Sequence, residues 1–480
     1  MLLFSIFLLP LMGALILSLV KIDHKSMGLR LLSLFFTVIP FVLSIIILAE
    51  FDYNNTNFQF VSYPIANVGV GVDGISLPFL LLTTFSFVIC ILYNCKMKEP
   101  NLKPYMALFL LLESFIVGFF ISMNAISFYI FFEAVLIPMF FIIGIWGGKQ
   151  RVYATFKLFL YTLAGSLLFL LGVVYVYSIF GTLNIQRLAT LMPNLEFSVQ
   201  LLLWFAFFIS FAIKVPMFPF HTWLPDAHVQ SPTSGSVILA GLLIKMGGYG
   251  FLRFSIPMLP LASLYFSNFV VVLSAIAVIY ASLVAFAQDD IKKLIAYSSI
   301  AHMGIVTAGL FSLNEEGVLG AAFQMISHGL ISAALFLCVG MMYTRAGTLE
   351  IAKYFGIVNT MPKFGFMFIL FSMASIGLPG TSGFIGEFLA MIGVFKSMTF
   401  LVSFIALGTI LSAVYMLGLC KKTIWGVSYS KLLNNRLDKI EFSVLVLLAV
   451  FVVFLGFYPA LVLKFFKPCM VNLLIKYNTL

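Results

Sequence analysis

Residues 211–228 read FAIKVPMFPFHTWLPDAH, a run that sets a lysine among apolar residues and then breaks the helix that carries it. Leu, Trp, Phe and Ile fill the stretch before Lys214, and Pro216 and Pro219 follow it at once. The rest of the chain says which solvent surrounds that lysine. Of 480 residues, 62% are hydrophobic and 9% charged, with a mean hydropathy of +1.14. A soluble domain has roughly 45–50% apolar and about 25% charged residues. The chain reads as an all-α polytopic membrane protein.

A helix needs about 20 mainly apolar residues to cross a bilayer. On that measure about fourteen spans are expected. Their cores are 1–20, 31–49, 76–94, 105–123, 125–146, 154–180 and 199–221, then 233–253, 263–287, 293–312, 317–342, 364–394, 398–419 and 442–463. With both termini outside, the inner connections carry Lys21, Lys25, Lys98, Lys149, Arg151, Lys431 and Arg436 among others, and the outer ones far fewer basic residues. That roughly threefold bias obeys the positive-inside rule and favours an even number of spans. The net charge of +10 is therefore a topology signal; the basic residues form no nucleic-acid patch. Residues 1–20 are expected to be a spanning helix, because no small-residue cleavage site follows them.

Some chemistry is excluded by pattern. The five cysteines, Cys90, Cys95, Cys338, Cys420 and Cys469, have no metal-ligand spacing and read as packing residues. Glycine-rich dinucleotide and phosphate loops are absent from the sequence.

What remains is ionisable residues where hydrocarbon should exclude them. Glu113, Glu133, Lys245 and Glu387 sit within apolar runs, and His302 and His328 add two titratable rings. Each charge at mid-helix costs about 2.5–3.5 kcal/mol on insertion scales. Pairs that merely lock helices together are the plain alternative. Recurrence across both halves favours a proton or ion path. Lys157 lies near the start of its span and can snorkel, so it reads as structural. Glu113 stays open between the two roles. Asp289, Asp290, Lys292 and Lys293 read as a solvated turn, and Asp226 with His221 and His228 as a loop shaping the inner mouth.

A break in a membrane helix frees backbone groups, which is tolerated only beside protein or water. Pro216 removes a donor, and the carbonyl near Ala212 is expected to take water or Lys214 instead. A second interruption, GLPGTSG at 377–383, lies five spans later and just ahead of Glu387. Two breaks at matching positions suggest two inverted five-helix repeats, each with a broken helix. The expected organisation is 1–100 as amino-terminal helices, 105–254 and 262–424 as the repeats, and 425–480 as a carboxyl-terminal helix and tail. A Glu133–Lys214 pair that opens and closes would act as a switch.

These stretches together resemble a known family. KVPMFPFHTWLPDAHVQSPTSGSVILAGLLIKMGGYGFLRF (214–254), FFEAVLIPMFFIIGIWGG (131–148), QDDIKKLIAYSSIAHMG (288–304) and GLPGTSGFIGEFL (377–389) are similar to the antiporter-like membrane subunits of respiratory complex I. The resemblance runs from about residue 70 to 425. It implies a proton relay through Glu133, Lys214, Lys245 and Glu387, with His302 and His328 connecting the halves. Sister subunits of the family carry lysine where this chain has Glu387. The resemblance also implies that NAD, FMN, iron–sulfur clusters and quinone sit on partner subunits, and that other membrane-arm subunits flank this one. A cation/proton antiporter subunit of a smaller assembly is the alternative. The phenylalanine-rich composition (55 of 480) suggests an AT-rich genome. A mitochondrial inner membrane is expected on that ground, with a bacterial inner membrane as the alternative.

Overall fold

The computed structural model describes residues 1–20, 27–65, 68–96, 101–426 and 437–478. Lys21, Lys25, Lys98, Lys431 and Arg436, which contribute to the topology argument, lie outside the described residues. Among the described residues, thirteen helices are long and apolar enough to cross a membrane. They begin with Leu2–Leu19 and end with Lys439–Phe457.

The departures from fourteen uniform spans lie at the punctuation. The span expected over 364–394 is two helices, Pro362–Ile376 and Ser382–Ser397. The segment between them turns on Gly377 (φ +85°) and Gly380 (φ +90°), a backbone region that side chains with a Cβ rarely adopt. The span expected over 199–221 is the helix Phe197–Lys214, which stops at the lysine. Turns then lead to a short helix, Trp223–Gln230, so the segment around Asp226 is helical and not a loop. A two-stranded antiparallel hairpin, Gln59–Ile65 with Val68–Val72, adds a β element that the apolar runs did not suggest.

The chain divides into two compact units. One comprises Met1–Lys214, Tyr249–Tyr265 and Lys464–Leu480; the other comprises Val215–Gly248 and Phe266–Leu463. In the first unit, Leu2–Leu19 packs against Leu102–Ile121 and Met27–Glu50, with Leu3, Ile6, Ile47, Val72, Leu77 and Leu80 buried together. Asp73 starts the helix Ser76–Asn94 by accepting from the Ile75 and Ser76 amides. Asn124 caps Ala125–Trp146; a bridge then joins it to Asn184, just past Gly181, whose φ of +62° closes Arg151–Phe180.

In the second unit, Glu315–Ala346 lies at the centre, packed on Ser382–Ser397 and Ile291–Phe311. Its approach to Ser382–Ser397 is close. A Cβ on Gly320 would lie 2.3 Å from the Ala390 amide nitrogen, so only glycine fits. Small residues at a helix contact allow this in the absence of a hydrophobic drive between helices. Asp290 caps Ile291–Phe311; a bridge joins it to Glu350, just past Gly347, whose φ of +68° closes Glu315–Ala346.

Candidate functional site

Four of the six candidate relay residues lie in the second unit, and they form a line. Lys245 is fully buried on the span Thr233–Met258. That span contains two π-helical segments, Leu239–Leu243 and Phe251–Ser255, a wider turn often found at functional sites. The Lys245 ammonium donates to the Ala240 carbonyl, five residues back and inside the first π segment. It also donates to His328 Nδ1 at 2.6 Å. The His328 ring lies 5.4 Å, centroid to centroid, from that of His302. His302 Nδ1 is 2.6 Å from Glu387 Oε1, and the same oxygen accepts from Gln324 Nε2 at 3.0 Å.

The imidazole geometry suits transfer. With Nδ1 donating to the carboxylate, His302 Nε2 faces the Ser375 hydroxyl at 3.2 Å. A neutral ring accepts from that hydroxyl and a charged ring donates to it, so the second nitrogen has a partner in both states. Glu387 stands in the second turn of Ser382–Ser397, beside the break that precedes the helix. The side chain is almost wholly buried.

Glu133 and Lys214 lie in the first unit. Lys214, the last residue of its helix, is buried. Its ammonium sits over the Phe132 ring, 4.6 Å from the centroid, and donates to the Phe132 carbonyl at 3.5 Å. The carbonyl that the lysine takes is therefore on the neighbouring helix, and not the one near Ala212. A cation over an aromatic face gains more when desolvated. Glu133, the next residue after Phe132, is half-buried, and its Oε1 has no hydrogen-bond partner. The two charges are near enough to interact, but the hydrogen bond from Lys214 goes to the carbonyl. Glu113 is fully buried in Leu102–Ile121 with both carboxyl oxygens unpartnered. Lys157 lies against Tyr153 near the start of its helix.

Sequence reasoning set aside three residues that the fold buries: Lys292, His228 and, beside the latter in the same stretch, His221. Lys292 is not part of a solvated turn: it is buried and donates to the Ser231 carbonyl. The aspartate of that turn, Asp290, instead caps the helix. His228 does not line a mouth: it is fully buried and stacks on Phe336, 4.4 Å between centroids and 9° between planes. Burial first, then the nearby Lys292 and Lys245 charges, favour its neutral ring. The signal available in the sequence was the stretch HTWLPDAHVQSPTSGSV, in which small residues with Trp223, Leu224 and Val229 accompany a single carboxylate, Asp226, too few charges for a solvated loop. Four of the five cysteines are buried as expected. Among the described residues, no group of three or more His, Cys, Asp and Glu side chains is placed to hold a metal ion.

Broken apolar helices with a continuous line of buried titratable groups define an antiporter-like membrane protein. The family model described as "NADH:quinone oxidoreductase/Mrp antiporter, TM" matches residues 122–412, and the chain belongs to that family. It is 48% identical over 465 residues to NADH-quinone oxidoreductase subunit M of Rickettsia bellii, covering 95% of this chain and 94% of that protein. It is 45% identical over 480 residues to NADH-ubiquinone oxidoreductase chain 4 of Marchantia polymorpha, covering 98% and 96%. A chain in the structure of respiratory complex I from Thermus thermophilus with bound NADH superposes with a TM-score of 0.89 at 29% identity, covering 99% of this chain and 100% of that one.

Proposed function

We propose that this chain is the proton-translocating membrane-arm subunit of an NADH:quinone oxidoreductase, of the subunit M or chain 4 type. The redox chemistry belongs to other subunits, which carry NAD, FMN, iron–sulfur clusters and quinone. Protons pass through this chain by way of Lys245, His328, His302 and Glu387, with Glu133 and Lys214 as a second titratable pair. The observation that carries the reading is the line of side chains from Lys245 through His328 and His302 to Glu387. Such a line repays its insertion cost by moving charge.

The two five-helix repeats, 105–254 and 262–424, are part of the proposal. Matching punctuation supports them. Asn124, Gly181 and Asn184 in one unit correspond to Asp290, Gly347 and Glu350 in the other, at one constant offset in residue number. The bonds correspond as well: Ala125 and Ile291 donate to Leu183 and Leu349, and Gly181 and Gly347 donate to Tyr177 and Tyr343. An odd number of spans per block makes the second copy enter from the opposite side. Neighbouring antiporter-like subunits and lipid surround the chain in this reading. The membrane is a mitochondrial inner membrane, or its bacterial counterpart.

The test is NADH-driven proton transport by the assembled complex in proteoliposomes. Replacement of Lys245 or Glu387 by alanine should lower transport at equal complex content. Full transport by both variants would remove the reading.

A further inference from the structure

We infer that a groove in the first unit holds an anionic phospholipid of the inner leaflet, with acyl chain against Leu2–Leu19, Leu102–Ile121 and Ala125–Trp146 and phosphate between Lys103 and Arg151. The inference stands apart from the proton reading and needs only the membrane setting.

The groove follows from how three helices meet. Leu2–Leu19 and Ala125–Trp146 each pack on Leu102–Ile121, and a cavity of about 630 Å³ is left between them. Ala14 and Ala107 line it, and side chains that short leave a channel where leucine would fill one. Leu11 and Leu15 line it from one helix, Phe141 and Ile145 from the other. Leu15, Phe141 and Ile145 are exposed, so the groove opens sideways to hydrocarbon. Its lining contains no carboxylate. A neighbouring helix is a poor fit. With its side chains a helix is about 10–12 Å across and rises about 5.4 Å per turn, so even two turns displace more than the 630 Å³ present. An acyl chain is thinner and adapts to an irregular wall.

The polar lining is gathered at one end. Ser18, Asn101, Lys103 and Trp146 line the groove there. The Lys103 ammonium reaches from the start of Leu102–Ile121 to the last turn of Leu2–Leu19 and donates to the Ser18 carbonyl at 3.3 Å. Arg151 donates through Nη1 to the carbonyl of Ile145, a lining residue of the opposite helix, at 3.0 Å. Each cation thus sits at a helix C-terminus, where the last carbonyls favour it. Each of these bonds uses one of several N–H donors, so both heads are fixed at the mouth with donors left for a phosphate. Lys149, exposed on the connection before Arg151, adds a third charge. Trp146 packs edge-on against Tyr105, 5.0 Å between centroids, which sets an amphipathic ring at the level where headgroup meets chain. The positive-inside rule puts Lys103, Lys149 and Arg151 on the inner side, where basic pockets between helices attract anionic headgroups. A zwitterionic lipid would bring its own cation to Lys103 and Arg151, so the site favours a net negative headgroup.

Photolabelling tests this without turnover. The complete complex is reconstituted in phosphatidylethanolamine vesicles doped with phosphatidylglycerol, or in parallel with phosphatidylcholine, each carrying the same diazirine in one acyl chain. After illumination, labelled peptides of this chain are mapped by mass spectrometry and normalised to the total label on the chain. In wild type, peptides holding Leu11, Leu15 and Ala107 should take several-fold more label from phosphatidylglycerol than from phosphatidylcholine. Lys103→Gln combined with Arg151→Gln should bring phosphatidylglycerol down to the phosphatidylcholine level. Ala107→Phe, which fills the channel and leaves the cations in place, should remove the label from both. Equal labelling of wild type by the two lipids overturns the inference, because the charges then select nothing. Groove peptides that take no label from either lipid overturn it as well, since a neighbouring subunit then covers the groove. If Ala107→Phe fails to assemble, the glutamine pair decides alone: an undiminished preference for phosphatidylglycerol in that variant removes Lys103 and Arg151 from the site and the inference with them.

Discussion

Lys245 donates to His328 Nδ1 across 2.6 Å while capping the Ala240 carbonyl of its own helix. One bond is to a backbone group that cannot take a proton, and the other is to a ring nitrogen that can. The π segment presents the Ala240 carbonyl to the lysine, so the helix irregularity and the relay are one feature. Among the described residues, the side chain that can accept a proton leaving Lys245 is His328, and its ring lies 5.4 Å from that of His302.

Lys245→Arg is therefore expected to fail where a fixed positive charge would suffice. Arginine retains its proton, and its planar fork does not reproduce a single bond to Nδ1. NADH-driven proton transport should fall close to the level of Lys245→Ala, with assembly intact. Transport equal to wild type would reduce Lys245 to a static charge.

His328 and Lys245 should be energetically coupled. In a double-substitution cycle with His328→Leu and Lys245→Ala, the second change should cost little once the first is made, because either one breaks the line. Contacting residues in one network commonly show about 0.5–3 kcal/mol of such coupling. Additive losses in transport would place the two residues on separate routes.

Most of the membrane architecture was legible because the bilayer imposes one length and one polarity on every span. The twelfth-span break was readable from its glycines, and the seventh from Pro216. The hairpin at 59–72 was not readable: its residues, mixed in polarity, pass for a loop until Met123 and Ser122 supply pairing partners far along the chain. The π segments were also hidden, since Leu239–Leu243 has the composition of any apolar helix. The burial of Lys214 follows from its apolar run, but the carbonyl it takes, that of Phe132 in place of one near Ala212, lies on a neighbouring helix that the local sequence does not show. Lys292 looked solvated beside two aspartates; its burial depends on Ser231, which sequence distance conceals. His228 was misplaced for the same reason, through its stacking on Phe336.

Arg253 should matter first for stability. With Asp73 it forms a buried pair that ties the start of Ser76–Asn94 to the Tyr249–Tyr265 segment. Removing one partner of such a pair costs about 3–5 kcal/mol, because the other charge stays buried. Arg253→Met should lower the thermal stability of the assembled complex more than Arg253→Lys, which keeps a charge for Asp73. A thermal shift assay on purified complex reads this directly, and equal stability of all three forms would contradict it.

Lys214→Ala and Glu133→Ala should each strongly lower coupled NADH-to-quinone turnover. Glu133→Asp should be milder, as it keeps the carboxylate one methylene short. Glu113 is predicted to matter less than Glu133, despite its burial, because Lys214 is near enough to interact with Glu133, whereas both Glu113 oxygens are without a hydrogen-bond partner among the described residues. Matched alanine variants at 113 and 133 decide the ranking, and the reverse order would put the switch on Leu102–Ile121.

Glu387 closes the line, and its two donors make the outcome of substitution specific. Oε1 receives His302 and Gln324 together, so a carboxylate gains from both and can also accept the proton that His302 delivers. Glu387→Gln keeps the volume, and its amide oxygen can still accept from both donors, so assembly should persist. An amide cannot take up a proton at working pH, and transport should therefore fall. Glu387→Lys restores a titratable group but removes the acceptor. Gln324 can compensate, because its Oε1 is buried without a partner and is placed to receive an ammonium after the amide turns over. His302 would then face a cation in place of an anion, which should slow transfer without abolishing it. The expected order is wild type, then Glu387→Lys, then Glu387→Gln and Glu387→Ala, measured as proton uptake in proteoliposomes at equal complex content. Glutamine at the wild-type rate would make Glu387 a structural acceptor for His302 and Gln324, and the outward step would have to start from His302 by another path.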